Sequence, residues 1–233
     1  MIKWLFLERE YRIFEGFRSA LTLTFISGFI DAYTYLTQGH SFAGMQTGNI
    51  IYLMIHLATK NYLEAMTYII PIFIFILGQF FTCYLRHLGD IKKFHWHVFS
   101  SHLLFILLAF TSVIAPLVDG HLFPIVILSF YASMQVETFK RIRGMPYTSI
   151  MMTGNLRNLS RFCYLAWVEK DPTALKKARR VLLIIFAFMI GVFSSTLLIQ
   201  LMGEWTLALM LFPIGFINLL LTAEVRMRTC GHK

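Results

Sequence analysis

The sequence predicts an all-α membrane protein: six transmembrane helices plus two interrupted or re-entrant helices, in two internal repeats. Three observations carry this. Of 233 residues, 57% are hydrophobic and 14% charged, whereas a soluble domain carries about 25% charged residues, and mean hydropathy is +0.65. Apolar runs of the roughly 20 residues that cross hydrocarbon recur along the chain. A Thr-Gly-Asn tripeptide stands at corresponding places in the two halves, at 47–49 and 153–155. An ordinary water-soluble domain is excluded. So is a disordered chain, because disorder needs low hydrophobicity and Phe alone supplies 23 residues. Residues 1–233 read as a single integral membrane domain.

Residues 1–18 alternate Lys3, Arg9, Arg12 and Arg18 with Glu8, Glu10 and Glu15, and lack the apolar core of a cleavable signal peptide. They read either as a cytoplasmic amphipathic lead-in, with Trp4, Leu5, Phe6 and Leu7 on the membrane surface, or as a frayed tail. The six clear spans are 19–37, 65–85, 98–118, 122–139, 181–202 and 205–223. In the first, Thr24, Ser27, Gly28, Asp31, Tyr35 and Gln38 follow three- and four-residue steps and form one polar stripe. A carboxylate within a span is costly unless it faces protein or water, so Asp31 marks an ion or proton site. The plainer alternative is a hydrogen bond to a neighbouring helix.

Segments 43–59 and 148–168 each carry Thr-Gly-Asn near their start, and the second also holds Arg157, Asn158 and Arg161, which are expensive facing lipid. Thr47 and Thr153 are expected to cap helix starts, Gly48 and Gly154 to permit an interrupted backbone, and Asn49 and Asn155 to bridge freed backbone groups. Such a start suits an anion, a carboxylate or a polar substrate, while helix-packing glue is the competing role. In 122–139 and just past its end, Ser129, Ser133, Glu137 and Arg141 recur every four residues and are expected to share a face; Glu137 is either a counterpart of Asp31 or a snorkelling interfacial carboxylate.

His95, His97 and His102 form an HxHxxxxH pattern without acidic or cysteine partners, so they read as interfacial and no metal is expected. Trp4, Trp96, Trp167 and Trp205 fall near span ends, as interfacial anchors do. Cys83, Cys163 and Cys230 form no CxxC pair and read as reduced, small hydrophobes.

The net charge of +9 is a topology signal rather than a nucleic-acid footprint. With six crossings, cytoplasmic termini and the two Thr-Gly-Asn segments returning to their own sides, 18 Lys and Arg lie inside and Lys60 alone outside. Eight crossings give 13 inside and 6 outside, so six is favoured.

A shift of 106 positions superposes Met45, Thr47, Gly48, Asn49 and Leu53 on Met151, Thr153, Gly154, Asn155 and Leu159. The repeats run about 19–118 and 122–223, each reading span, Thr-Gly-Asn segment, span, span. Three crossings per unit invert the second copy, the plan of many channels and transporters; eight spans would make the copies parallel.

Ser27-Gly28-Phe29-Ile30-Asp31-Ala32, Thr47-Gly48-Asn49, then Gln135, Lys140-Arg141, Gly144 and Thr153-Gly154-Asn155 resemble the YoaK family of bacterial membrane proteins, over nearly the whole chain. The resemblance implies a multi-span fold in the bacterial cytoplasmic (inner) membrane and no established substrate. It adds Gln135 to the site. Where that family tends to have Gln-Asn-Ala, this chain has Gln135-Val136-Glu137, so Glu137 stands as a local replacement.

The expected function is transport or conduction of a small polar solute or ion. Asp31, Gln135 and Glu137 would serve with Thr47, Gly48, Asn49, Thr153, Gly154 and Asn155 as the site. No catalytic constellation and no cofactor motif is present, so an enzyme is not expected. The lipid bilayer and the solute are the expected partners, nucleic acid is not, and a homo-oligomer is left open. The alternative is an assembly or sensor protein that binds lipid or a partner through its basic cytoplasmic face.

Overall fold

Long apolar runs with few internal breakers make the chain almost wholly helical. The computed structural model describes residues 12–92, 95–118 and 120–230. The α-helices are α1 (Phe17–Thr37), α2 (Gln46–Ala58), α3 (Tyr62–Lys92), α4 (Trp96–Ile114), α5 (Leu122–Thr138), α6 (Met152–Trp167), α7 (Pro172–Met202) and α8 (Leu211–Cys230). Short 3-10 turns cover Ile13–Glu15, Ala115–Leu117 and Gly203–Met210. Between α5 and α6 a two-residue hairpin pairs β1 (Arg141–Ile142) with β2 (Met145–Pro146), Arg141 opposite Pro146. Arg143 and Gly144 turn it, both left-handed at φ 46° and 76°, as a tight hairpin turn requires.

Among the described residues three stretches are both long and apolar enough to cross a membrane: Tyr62–Gly89, Trp96–Leu117 and Pro172–Met227. The third contains α7 and most of α8, and Gly203 at φ 56°, ψ −137° leaves helical geometry between them. α5 is a shorter apolar helix. α1 is absent from the apolar set even though it has 21 residues. Its polar stripe lowers its hydropathy, and thirteen of its residues are buried, so its surroundings are other helices.

α1 packs chiefly on α7, and α5 on α3; α2 lies on α3 and α6 on α7, while α4 touches both α5 and α8. Glycine makes the α1–α7 contact close. A Cβ at Gly28 would run into the Phe188 carbonyl oxygen, and one at Gly191 into the Phe25 carbonyl oxygen. Such backbone approach is how helices associate where lipid removes the hydrophobic drive. Gly78 of α3 sits likewise against Ser133 of α5.

Of the lead-in, residues 1–11, including Trp4 to Leu7, lie outside the described residues. The remainder is docked: the Ile13 amide donates to Glu224 Oε2 (3.1 Å), the Ser19 hydroxyl to the Ile13 carbonyl (2.7 Å), and the Arg143 amide to the Glu15 carbonyl (2.9 Å). Trp167 and Trp205 are exposed, but Trp96 is only 5% exposed and belongs to the main core cluster, so it is a packing residue rather than an interfacial anchor. At the start of α7, Asp171 caps by accepting from the Thr173 amide (2.8 Å) and hydroxyl (3.1 Å), bonds that hold its carboxyl below the usual range.

Candidate functional site

Asp31 is 4% exposed near the C-terminal end of α1. Its Oδ1 accepts the Gly44 amide at 2.7 Å, and the Met45 amide lies beside it. One turn on, Thr34 Oγ1 accepts the Ala43 amide (3.1 Å) and donates to the Asp31 carbonyl (3.2 Å). The two side chains thus tie the segment ahead of α2 to α1. Asp31 Oδ2 is buried without a hydrogen-bond partner. Elsewhere on the stripe, Thr24 and Ser27 donate to their own helix at Ala20 (2.8 Å) and Leu23 (2.9 Å), and Thr24 also meets the Tyr147 hydroxyl.

The two Thr-Gly-Asn segments begin helices in the same way. The N-caps are Met45 (φ −80°, ψ 72°) and Met151 (φ −85°, ψ 78°), and neither start has a side-chain cap. Just before them, the Gln46 amide donates to the Gly44 carbonyl (2.9 Å) and the Met152 amide to the Ile150 carbonyl (3.0 Å). The expectation that Thr47 and Thr153 cap these helices is therefore corrected: both lie inside the first turn, and both are exposed. The glycines also differ. A Cβ at Gly48 would meet the Phe42 ring at 2.9 Å, whereas Gly154 has nothing within 4 Å.

Of the six Thr-Gly-Asn residues, the asparagines are the buried ones, and both reach back seven positions. Asn49, fully buried, accepts the Phe42 amide (2.9 Å) and donates to the Phe42 carbonyl (2.7 Å) and Gln46 Oε1 (2.9 Å). Asn155 donates to the Thr148 carbonyl at 3.3 Å. This bridging of freed backbone groups is the role the sequence suggested. It also commits most of the hydrogen-bonding capacity of Asn49 to its own chain.

Gln135, 1% exposed on α5, joins three elements: Nε2 donates to the Leu23 carbonyl (3.1 Å) and Ser27 Oγ (2.7 Å) of α1 and to Ser149 Oγ (3.0 Å), while Oε1 has no partner. Glu137, 8% exposed, pairs with Lys140 and stands 4.0 Å from Arg86 of α3. Its partners are cations at the end of the bundle, whereas Asp31 is held by backbone amides. The two carboxylates thus have separate environments. Ser133 donates to the Phe130 carbonyl at 2.7 Å, and Ser129 Oγ is buried without a partner.

Among the described residues no group of three metal-ligating side chains occurs. His102 bonds the Val98 carbonyl at 2.7 Å and lines a groove between α4 and α8, away from the cavity lined by His95 and His97.

Two features escaped sequence reasoning. Tyr131 and Ser195 are buried with hydroxyls lacking partners; an apolar helix interior gives no spacing signal for an orphaned hydroxyl. An aromatic ladder links α1, α2 and α3, with Tyr35 stacked on Phe42 (4.9 Å), Tyr52 on Tyr68 (5.4 Å) and Tyr68 on His56 (5.5 Å). Its members are spread over 35–68, so tertiary packing alone assembles them.

No curated protein and no solved structure matches the chain. A family model described as a protein of unknown function, DUF1275, matches residues 19–220. That match runs from the first turn of α1 into α8, through the Asp31 segment and both Thr-Gly-Asn helix starts, and the chain belongs to the DUF1275 family.

Proposed function

We propose that the chain is a six-span transporter or channel for a small polar solute or ion, with Asp31 as its ion- or proton-binding carboxylate. On this reading α2 and α6 are re-entrant, the two halves are inverted repeats, both termini are cytoplasmic, and the bacterial inner membrane suggested by the YoaK resemblance is the location. The observation that carries the reading is the set of orphaned polar atoms inside the bundle: Asp31 Oδ2, Gln135 Oε1 and the hydroxyls of Ser129, Tyr131 and Ser195. A packed interior leaves few buried polar groups unpaired, and in lipid each costs several kcal/mol. Polar atoms kept there from α1, α5 and α7 fit a bundle that exchanges its polar contacts with a solute.

The repeat reading is supported by local geometry. Besides the matched helix starts, the α2–α3 and α6–α7 corners place Lys60 and Lys170 in left-handed conformations, at φ 61° and 54°. The short helices, at 13 and 16 residues, fall below the roughly 20 that cross hydrocarbon. Asn49 and Asn155 act as positioning residues, and Gln135 holds α5 against α1.

The test is ion and proton flux into liposomes containing purified protein, followed by potential- and pH-sensitive dyes. Asp31→Asn keeps an oxygen that accepts the Gly44 amide, so it is expected to leave the melting temperature within a few degrees and to reduce flux at least tenfold. Unchanged flux would remove Asp31 from the mechanism.

A further inference from the structure

A cavity of about 240 Å³ lies at the end of the bundle where α3 finishes and α4 starts, walled by Arg12, Arg86, His95, Trp96, His97 and Glu224 among others. It is separate from Asp31 and from both asparagines. Four elements converge on it: the 3-10 lead-in, the last turns of α3, the first turn of α4 and the end of α8. We propose that this cavity binds a phosphate group through the guanidinium forks of Arg12 and Arg86.

The charges favour an anion. Glu137 is already answered by Lys140, and Arg86 reaches it only at 4.0 Å, so the Arg86 fork keeps donors for another acceptor. The Arg12 guanidinium lies 5.8 Å over the Phe14 ring, which in turn packs on the His97 ring, fixing the arginine at the rim. Among the described residues the one carboxylate on the wall, Glu224, accepts the Ile13 amide at 3.1 Å and so holds the lead-in that carries Arg12. The two arginines then outweigh one carboxylate that is engaged with backbone. Paired arginines suit a phosphate because each fork matches two of its oxygens. The volume lies below the roughly 300–1,000 Å³ of drug-sized ligand sites, which restricts the occupant to a free phosphate or a single phospholipid headgroup.

The experiment is thermal unfolding of the detergent-purified full chain, titrated separately with sodium phosphate, with phosphatidylglycerol and phosphatidylcholine in mixed micelles, and with sodium chloride at matched ionic strength. A saturable rise in melting temperature beyond chloride is expected, because a ligand of the native state raises its stability by mass action. Response to phosphate identifies a soluble source; response to phospholipid without response to phosphate identifies a headgroup. Arg12→Gln and Arg86→Gln should each weaken the apparent affinity at least tenfold, and Arg157→Gln on α6 should leave it unchanged. If one arginine variant fails to fold, the other gives the reading. A rise no larger than that with chloride overturns the proposal, as does wild-type affinity in a folded arginine variant.

Discussion

Asn49 and Asn155 occupy equivalent places, yet their bonds differ in number and length. Asn49 pairs with both backbone groups of Phe42 and with Gln46, whereas Asn155 reaches one backbone carbonyl, Thr148, at 3.3 Å. Leaving a buried donor or acceptor unsatisfied costs about 1–3 kcal/mol. Asn49→Ala strands two backbone groups and Asn155→Ala one, so in thermal unfolding Asn49→Ala should lower the melting temperature more. Equal losses would mean that the two bridges carry the same load. Residue type alone placed these asparagines at helix starts, because Gly-Asn reads as a break followed by a hydrogen-bonding side chain. It misplaced the caps. Capping depends on where φ and ψ leave the helix, and here that happens at Met45 and Met151, which carry no capping oxygen.

At the level of elements, contacts between helices decide which glycines matter. Adding a methyl at Gly28 or Gly191 forces α1 and α7 apart against backbone carbonyls. Overpacking of this kind costs about 1–3 kcal/mol, partly offset by about 1 kcal/mol of helix propensity. Gly28→Ala and Gly191→Ala should therefore lower the melting temperature. Gly154→Ala, with open space around its Cβ, should leave it unchanged or raise it. The reverse order would contradict the α1–α7 packing. Hydropathy located most helices within a few residues but shortened the longest. α3 runs Tyr62–Lys92 where 65–85 was expected, and α7 runs Pro172–Met202 where 181–202 was expected. The added turns carry Glu64, Arg86, Lys176, Lys177, Arg179 and Arg180, which a hydropathy window rejects and a helix extending past the apolar region accepts. The 3-10 stretch Gly203–Met210 was invisible for another reason: its composition is that of a span, and the departure at Gly203 is conformational.

Across the whole molecule, the proposed transporter needs two copies of one unit facing opposite ways, with their broken helix starts entering a shared polar interior from opposite sides. The proposed repeat is read from the Thr-Gly-Asn spacing. The corners at Lys60 and Lys170 were not legible in the sequence, since nothing in their side chains announces a left-handed backbone. Those two corners also separate the topologies. Inverted three-span units put Lys60 outside and Lys170 inside, whereas eight crossings put both inside. With Cys83, Cys163 and Cys230 replaced by serine, Lys60→Cys and Lys170→Cys can be exposed in intact cells to a membrane-impermeant maleimide. With inverted repeats, Lys60→Cys is labelled in intact cells and Lys170→Cys only after permeabilisation; protection of both until permeabilisation, or labelling of both without it, would contradict the inverted repeat.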